Sequence, residues 1–131
     1  SVMCIRDRGI TPQSQRGRFR YKGKTEKEKK NLLKDSKILE ESGVFAIVLE
    51  CIEKKLSKKI TETIDIPTIG IGSSNFCDGQ ILVTDDLLGL TDTKIKFVKK
   101  YTNLKSNVRN AVKKFKLDVK SGSYPSAKYS Y

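Results

Sequence analysis

The sequence predicts an α/β protein in which parallel β-strands alternate with α-helices. Two stretches, residues 44–49 and 67–72, are apolar or small at almost every position, as in strands that are buried on both faces. The segments around them place apolar residues at helical spacing. Buried strands separated by amphipathic helices are typical of a parallel sheet that is covered by helices and joined by right-handed crossovers. The 131 residues are enough for one domain with a hydrophobic core.

The first predicted helix covers residues 26–42. Thr25 and Glu28 have the spacing of a capping box, in which two side chains near the start of a helix accept hydrogen bonds from its first N–H groups. Gly43 ends the pattern, as glycine does at the carboxyl end of many helices. A buried strand is predicted over residues 44–50, directly after this glycine. The residues that recur at helical spacing along this stretch are Leu32, Leu33, Ser36 and Leu39.

The middle of the chain predicts one more helix and two more strands. The helix covers residues 53–63, and the strands cover residues 67–72 and 80–84. Asp85 and Asp86 follow the last strand. Paired acidic residues at such a place are typical of the first turn of a helix, where the helix dipole favours negative charge. Leucine and isoleucine lie on one side of the helix predicted over residues 53–63, at Leu56, Ile60 and Ile64.

The C-terminal region predicts a last helix over residues 106–120, followed by an extended arm over residues 121–131. The charge is concentrated at the two ends of the chain. Residues 1–30 contain ten basic and three acidic residues, and residues 91–131 contain eleven basic and two acidic residues. The apolar positions of the last helix are Val108, Ala111, Val112, Phe115 and Val119.

Nucleic-acid binding is one function that this charge allows. The stretch from Arg16 to Lys24 interleaves Phe19 and Tyr21 with cations, a pattern that can follow a phosphate backbone. A solvated lysine-rich surface accounts for the same charge without any ligand.

The composition restricts both the location and the chemistry. Three cysteines without a CxxC pair, and no histidine, predict a reducing cytoplasm and no structural zinc site. Without histidine, proton transfer near neutral pH needs a carboxylate, a lysine, a tyrosine or a metal-bound water. The longest apolar run has six residues, whereas about 18 are needed to cross a bilayer, so a soluble protein without a leader peptide is expected.

Glu50 is the candidate catalytic residue. It ends one buried strand, and Gly72 ends the next. Ligands bind at the carboxyl ends of the strands in parallel α/β folds, so neighbouring strands would place Glu50 beside a glycine that lets a substrate approach the backbone. Partial burial would favour the carboxylate as a general base. Position alone does not distinguish this role from a Glu50 that pairs with Lys54 or Lys55 or that caps a helix.

Three stretches together resemble the ketopantoate hydroxymethyltransferases, also called 3-methyl-2-oxobutanoate hydroxymethyltransferases. They are FAIVLECI followed by LSKKITETI, then IPTIGIGSSNFCDGQILVTDDLLGL, and finally KFVKKY followed by VRNAVKKFKLDVKSGSYP. Residues 11–14 and 21–25 add weaker support. The resemblance runs from about Gly9 to the C-terminus, and it implies the C-terminal part of a (β/α)8 TIM barrel.

The resemblance also implies an activity. Members of this family transfer a hydroxymethyl group from 5,10-methylenetetrahydrofolate to 3-methyl-2-oxobutanoate, giving 2-dehydropantoate, in the cytoplasmic biosynthesis of pantothenate, the coenzyme A precursor. The glutamate of the family's LEC stretch corresponds to Glu50, which would be the proton acceptor. Mg²⁺ would bind the keto acid, with its ligands outside this chain, in the N-terminal half of the family's barrel. A homo-oligomer, in the family a decamer, is expected, and no cofactor-binding residue is identified.

The resemblance fails at the N-terminus, where residues 4–8 read CIRDR and the family has a Gly-His pair. Residues 1–8 are therefore interpreted as a truncation or sequence-assembly scar. Residues 9–120 would form the C-terminal half of the barrel, and residues 121–131 the arm. Such a half-barrel would expose two unpaired sheet edges, so we expect the chain alone to be inactive. The other alternative is a non-catalytic half-barrel that needs a separate partner half.

Overall fold

The computed structural model describes the backbone of Val2–Ile5 and all of residues 22–131. These residues form two compact units: one contains the described residues up to Leu82 together with Ile95–Phe97, and the other contains Val83–Lys94 and Val98–Tyr131. The elements are, in chain order, β1 (Val2–Ile5), α1 (Glu26–Glu41), β2 (Ala46–Glu50), α2 (Lys54–Thr61), β3 (Thr68–Ile71), β4 (Gly79–Gln80), α3 (Thr84–Leu87), α4 (Leu104–Ser121) and a 3₁₀ turn (Ala127–Tyr129).

The first unit is built on a four-stranded sheet in which every pair of neighbouring strands is parallel. The strand order β1-β2-β3-β4 follows the chain, and the apolar residues of α1 and α2 pack into one cluster with those of β2. Because each strand is added on the same side of the one before it, right-handed crossovers place all the connecting helices on the same face of the sheet. This arrangement is the one found in a barrel wall, not in a doubly wound sheet. The predicted α/β class with parallel strands is confirmed.

The core lies between β2 and the two helices. Ile47 and Leu49 of β2 are fully buried, as is Ile60 of α2. Burying an isoleucine or leucine side chain stabilises a fold by roughly 1.5–3 kcal/mol relative to leaving it in water. The cluster is completed by Val44, Ile52, Leu56, Ile64 and Cys77, with Leu32, Leu33, Leu39 and Ile66 packed against it.

Helix α1 begins and ends as the sequence predicts. The N–H of Glu28 donates to Thr25 Oγ1 at 3.2 Å, and Glu28 Oε2 accepts from the N–H groups of Lys24 and Gly23. The Lys24 hydrogen bond is the main reason that the pKa of Glu28 is below its usual value. Gly43 has φ +80° and donates its N–H to the carbonyl of Glu40 near the helix end. The capping box therefore works, although its carboxylate reaches N–H groups that precede the cap.

A side-chain network joins the start of β3 to the loop before β4. Asp78 Oδ2 accepts from the Thr68 N–H at 2.8 Å and from Thr68 Oγ1 at 3.0 Å. Thr68 Oγ1 also lies 2.8 Å from Thr61 Oγ1 at the end of α2. Thr68 is fully buried, so its hydroxyl depends on these partners for hydrogen bonds that water cannot supply.

Two strands differ from the prediction. β1 was not predicted, because its four residues, VMCI, are too short a run to show periodicity. β4 contains only Gly79 and Gln80, whereas a strand over residues 80–84 was predicted. The Ile81 N–H still donates to the Gly70 carbonyl of β3 at 3.0 Å, but the chain then leaves the sheet, and Thr84 begins the short helix α3. Asp85 and Asp86 lie in the first turn of α3, as the charge argument predicts.

The second unit contains α3, α4 and the C-terminal residues. Gly122, with φ +71°, ends α4. The N–H groups of Ser123 and Tyr124 then donate to the carbonyl of Asp118, and the Tyr124 ring contacts the Phe115 ring of α4 at a centroid distance of 5.4 Å. The C-terminal residues therefore turn back along the helix, so the predicted arm is not extended throughout.

Candidate active site

Glu50 is the last residue of β2, and its register partner is Ile71, the last residue of β3. The two strands are therefore neighbours, as the candidate site requires. Leu49 is fully buried in the helix-covered core, and side chains alternate between the two faces of a strand. Glu50 accordingly belongs to the opposite face of the sheet, where it is half-buried.

The backbone that follows Glu50 bends sharply and is tied to two other segments. Cys51 has φ +53°, a left-handed conformation that costs a non-glycine residue roughly 1–2 kcal/mol. Its N–H donates to the carbonyl of Ile71 at 3.0 Å, and its own carbonyl accepts from the Lys22 N–H at 2.9 Å. The Lys22 carbonyl in turn accepts from the N–H of Glu53. These backbone bonds stabilise the strained turn directly beside the candidate base.

Ser73 connects the loop after β3 to the same turn. Its Oγ donates to the carbonyl of Leu49 at 2.6 Å and accepts from the N–H of Ile52 at 3.0 Å. The hydroxyl thus contacts the residue before Glu50 and the second residue after it. The end of β2 is held from the β3 side by a side chain as well as by the strand ladder.

Gly72 has a different role from the one predicted. Its φ is +66°, so the chain turns there in a conformation that favours glycine. A Cβ added at this residue would lie 2.4 Å from Cδ1 of Phe97. The space that a side chain would take is therefore filled by the Phe97 ring, and the prediction that Gly72 leaves it open to a substrate is wrong.

No group of three or more His, Cys, Asp or Glu side chains that could hold a metal ion occurs among the residues described here. That the ligands of the magnesium ion implied by the resemblance lie outside this chain stays a prediction. None of the described helices is both long and apolar enough to cross a membrane.

The basic stretch from Arg16 to Lys24 falls almost wholly outside the described residues, which include only Lys22 and Lys24 at this place. Nucleic-acid binding by this stretch is therefore not tested and stays a prediction. Val2–Ile5 are described, as β1, and the interpretation of residues 1–8 as a truncation or sequence-assembly scar stays a prediction.

Comparison with known proteins decides the family. A family model described as ketopantoate hydroxymethyltransferase matches residues 2–127. This chain belongs to the ketopantoate hydroxymethyltransferase family. The family is a TIM barrel, and the four parallel strands of this chain are a portion of such a barrel.

Several curated relatives are named 3-methyl-2-oxobutanoate hydroxymethyltransferase. The protein from Pelagibacter ubique is 53% identical over 123 residues, which are 94% of this chain and 48% of the relative. The protein from Clostridium kluyveri is 52% identical over 126 residues, 94% of this chain and 45% of the relative. That from Syntrophus aciditrophicus is 46% identical over 126 residues, 94% of this chain and 46% of the relative. The chain thus spans about half the length of the curated relatives it matches.

Sequence reasoning predicted that the buried strand ends at Glu50, but it missed the residues that contact the turn after this strand. Lys22, Ser73 and Phe97 lie far from Glu50 along the sequence, and none belongs to the strand that carries it. One signal was available for Ser73, because it directly follows a glycine at the end of a buried strand, where side chains reach the ligand-binding edge of a parallel sheet. No comparable signal marks Lys22 or Phe97.

Proposed function

We propose that this chain is part of an enzyme that transfers a hydroxymethyl group from 5,10-methylenetetrahydrofolate to 3-methyl-2-oxobutanoate, giving 2-dehydropantoate, the first step of pantothenate biosynthesis. Glu50 is the proposed proton acceptor. The observation that supports this best is the position of Glu50, at the carboxyl end of β2 and beside the end of β3, where barrel enzymes place their catalytic residues. The names of the relatives support the same reaction.

The proposed step for Glu50 is removal of the proton on C3 of the keto acid. The electron pair of the broken C–H bond forms the C2–C3 double bond, and the keto oxygen becomes an enolate oxygen. C3 then bonds to the one-carbon unit, whose hydroxyl oxygen comes from water, and tetrahydrofolate leaves. The chain has no histidine, so a carboxylate is the natural base at this place. The family resemblance is the only support for including Mg²⁺ in this proposal.

Deuterium exchange at C3 of 3-methyl-2-oxobutanoate, followed by NMR, tests the role of Glu50 without any folate. The assay combines this chain with the part of the Pelagibacter ubique relative that it does not cover. Glu50→Gln keeps the size of the side chain and removes the base, and we expect exchange to slow by about 10²-fold or more. Glu53→Gln is the matched control, because the Glu53 carboxylate accepts from the Leu56 N–H at the start of α2 and serves as its cap.

The outcomes separate the alternatives. Exchange at the wild-type rate by Glu50→Gln would contradict its role as the base. A combined protein that associates but exchanges no proton, with Mg²⁺ present, would contradict the transferase and favour the non-catalytic half-barrel. We expect this chain alone to be inactive, because its sheet is only part of a barrel. Self-association into a homo-oligomer is also part of the proposal, and sedimentation of the combined protein checks it.

A further inference from the structure

Ser73 spans the backbone on both sides of Glu50 with a single hydroxyl group. A serine hydroxyl has one donor and two acceptor positions. Here the donor is directed at the Leu49 carbonyl, 2.6 Å away, and the Ile52 N–H approaches the oxygen at 3.0 Å. The two bonded groups enclose Glu50 and Cys51. Rotation of the Glu50 peptide groups would have to break at least one of these bonds.

The turn that Ser73 spans would not be expected to persist by itself. Cys51 has φ +53°, and such backbone strain is kept only where the surrounding structure determines the conformation. Ser73 is in turn fixed by its own neighbour, because Gly72 turns with φ +66° and packs against the Phe97 ring. Successive contacts therefore connect Phe97, through Gly72 and Ser73 in the loop after β3, to the backbone on both sides of Glu50.

We propose that Ser73 is a positioning residue that holds Glu50 in the direction needed for proton removal. The proposal rests on the proposed function of Glu50 as the base. A base contributes its full rate only when it is aligned with the proton that it removes, and a displacement of about 1 Å can cost about 10²-fold in rate. Ser73 does not itself touch the reacting atoms in this proposal.

Ser73→Ala removes the bridging hydroxyl, and Ser74→Ala is its matched control. Ser74 is the next residue, is almost fully buried, and its Oγ accepts from the Phe76 N–H within its own loop. In the proton-exchange assay, we expect Ser73→Ala to lower kcat about 10-fold to 10²-fold with little change in KM. Ser73→Thr, which keeps the hydroxyl, should restore most of kcat. If Ser73 only stabilised the fold, Ser73→Ala would not lower kcat while leaving KM unchanged, and Ser73→Thr would not specifically restore kcat.

A second measurement uses this chain as it is and needs no activity. Amide hydrogen exchange at Ile52 should accelerate about 10-fold or more in Ser73→Ala, because its acceptor is lost, and should stay unchanged in Ser74→Ala. Unchanged exchange at Ile52 in Ser73→Ala would overturn the proposal.

Failure of this proposal and failure of the proposed function give different results. If Glu50→Gln abolishes proton exchange while Ser73→Ala keeps the wild-type kcat, the positioning role is overturned and the transferase stands. If Glu50→Gln exchanges at the wild-type rate, the base is wrong and the positioning role is overturned with it. Loss of kcat in Ser73→Ala and Ser74→Ala alike would also overturn a specific role for Ser73.

Discussion

Replacing Gly72 by alanine tests how the turn beside Glu50 is built. The alanine Cβ would lie 2.4 Å from Cδ1 and 2.5 Å from Cγ of Phe97, so the ring would have to move. It would also adopt φ +66°, which costs roughly 1–2 kcal/mol for a residue with a Cβ. Overpacking of this kind costs roughly 1–3 kcal/mol. We therefore expect Gly72→Ala to lower the free energy of unfolding by about 2–5 kcal/mol.

Gly43→Ala separates the two contributions. Gly43 has a similar φ of +80°, but a Cβ added there would meet no atom within 4 Å. This substitution should therefore cost only the backbone contribution, about 1–2 kcal/mol. Both glycines belong to the first compact unit, so the same unfolding transition reports on both.

Urea unfolding followed by far-UV circular dichroism measures the two free energies. The double substitution Gly72→Ala with Phe97→Ala should cost less than the sum of the single substitutions, because the clash is absent once the ring is removed. A Gly72→Ala protein no less stable than Gly43→Ala would refute the packing of Phe97 over Gly72. Additive effects of Gly72→Ala and Phe97→Ala would refute it independently.

Two further predictions concern hydrogen bonds within the first unit. Thr68→Val keeps the shape of a fully buried side chain but removes its hydroxyl hydrogen bonds to Asp78 and Thr61, so the free energy of unfolding should fall by roughly 1–3 kcal/mol. Thr68→Ser should lose less of the network, and equal losses would contradict this. Burial acts to raise the pKa of Glu53, but the N–H groups of Lys55 and Leu56 outweigh it, so its pKa is below the ordinary value of 4.5. The stabilisation by Glu53 is therefore complete above that value and lost as the pH falls through the lower, folded-state pKa. The stability advantage of wild type over Glu53→Gln, measured by urea unfolding, should be largest near neutral pH and shrink below about pH 4.5; an advantage independent of pH would contradict the assignment.

Much of the fold could be predicted because it depends on residues that are close along the chain. Thr25 caps α1 through Glu28, three residues away, and the positions of helices and buried strands follow from periods of 3.6 and 2 residues. The end of β2 at Glu50, and hence the candidate base, could be located by the same local pattern. The errors also have local causes, since β1 and β4 have only four and two residues, too few to show a period.

The sequence by itself determined the α/β class, the order of the main elements, the strand end at Glu50 and the family resemblance, because each depends on local pattern or residue identity. Only the tertiary structure decided which groups hold the backbone on either side of Glu50 and the turn after β3. Ser73 reaches Leu49 across 24 residues, Lys22 pairs with the turn at Cys51, and Phe97 takes the space beside Gly72. The physical reason is that these contacts form between segments joined by whole crossovers. Their partners are selected by strand register and packing, which no local pattern specifies.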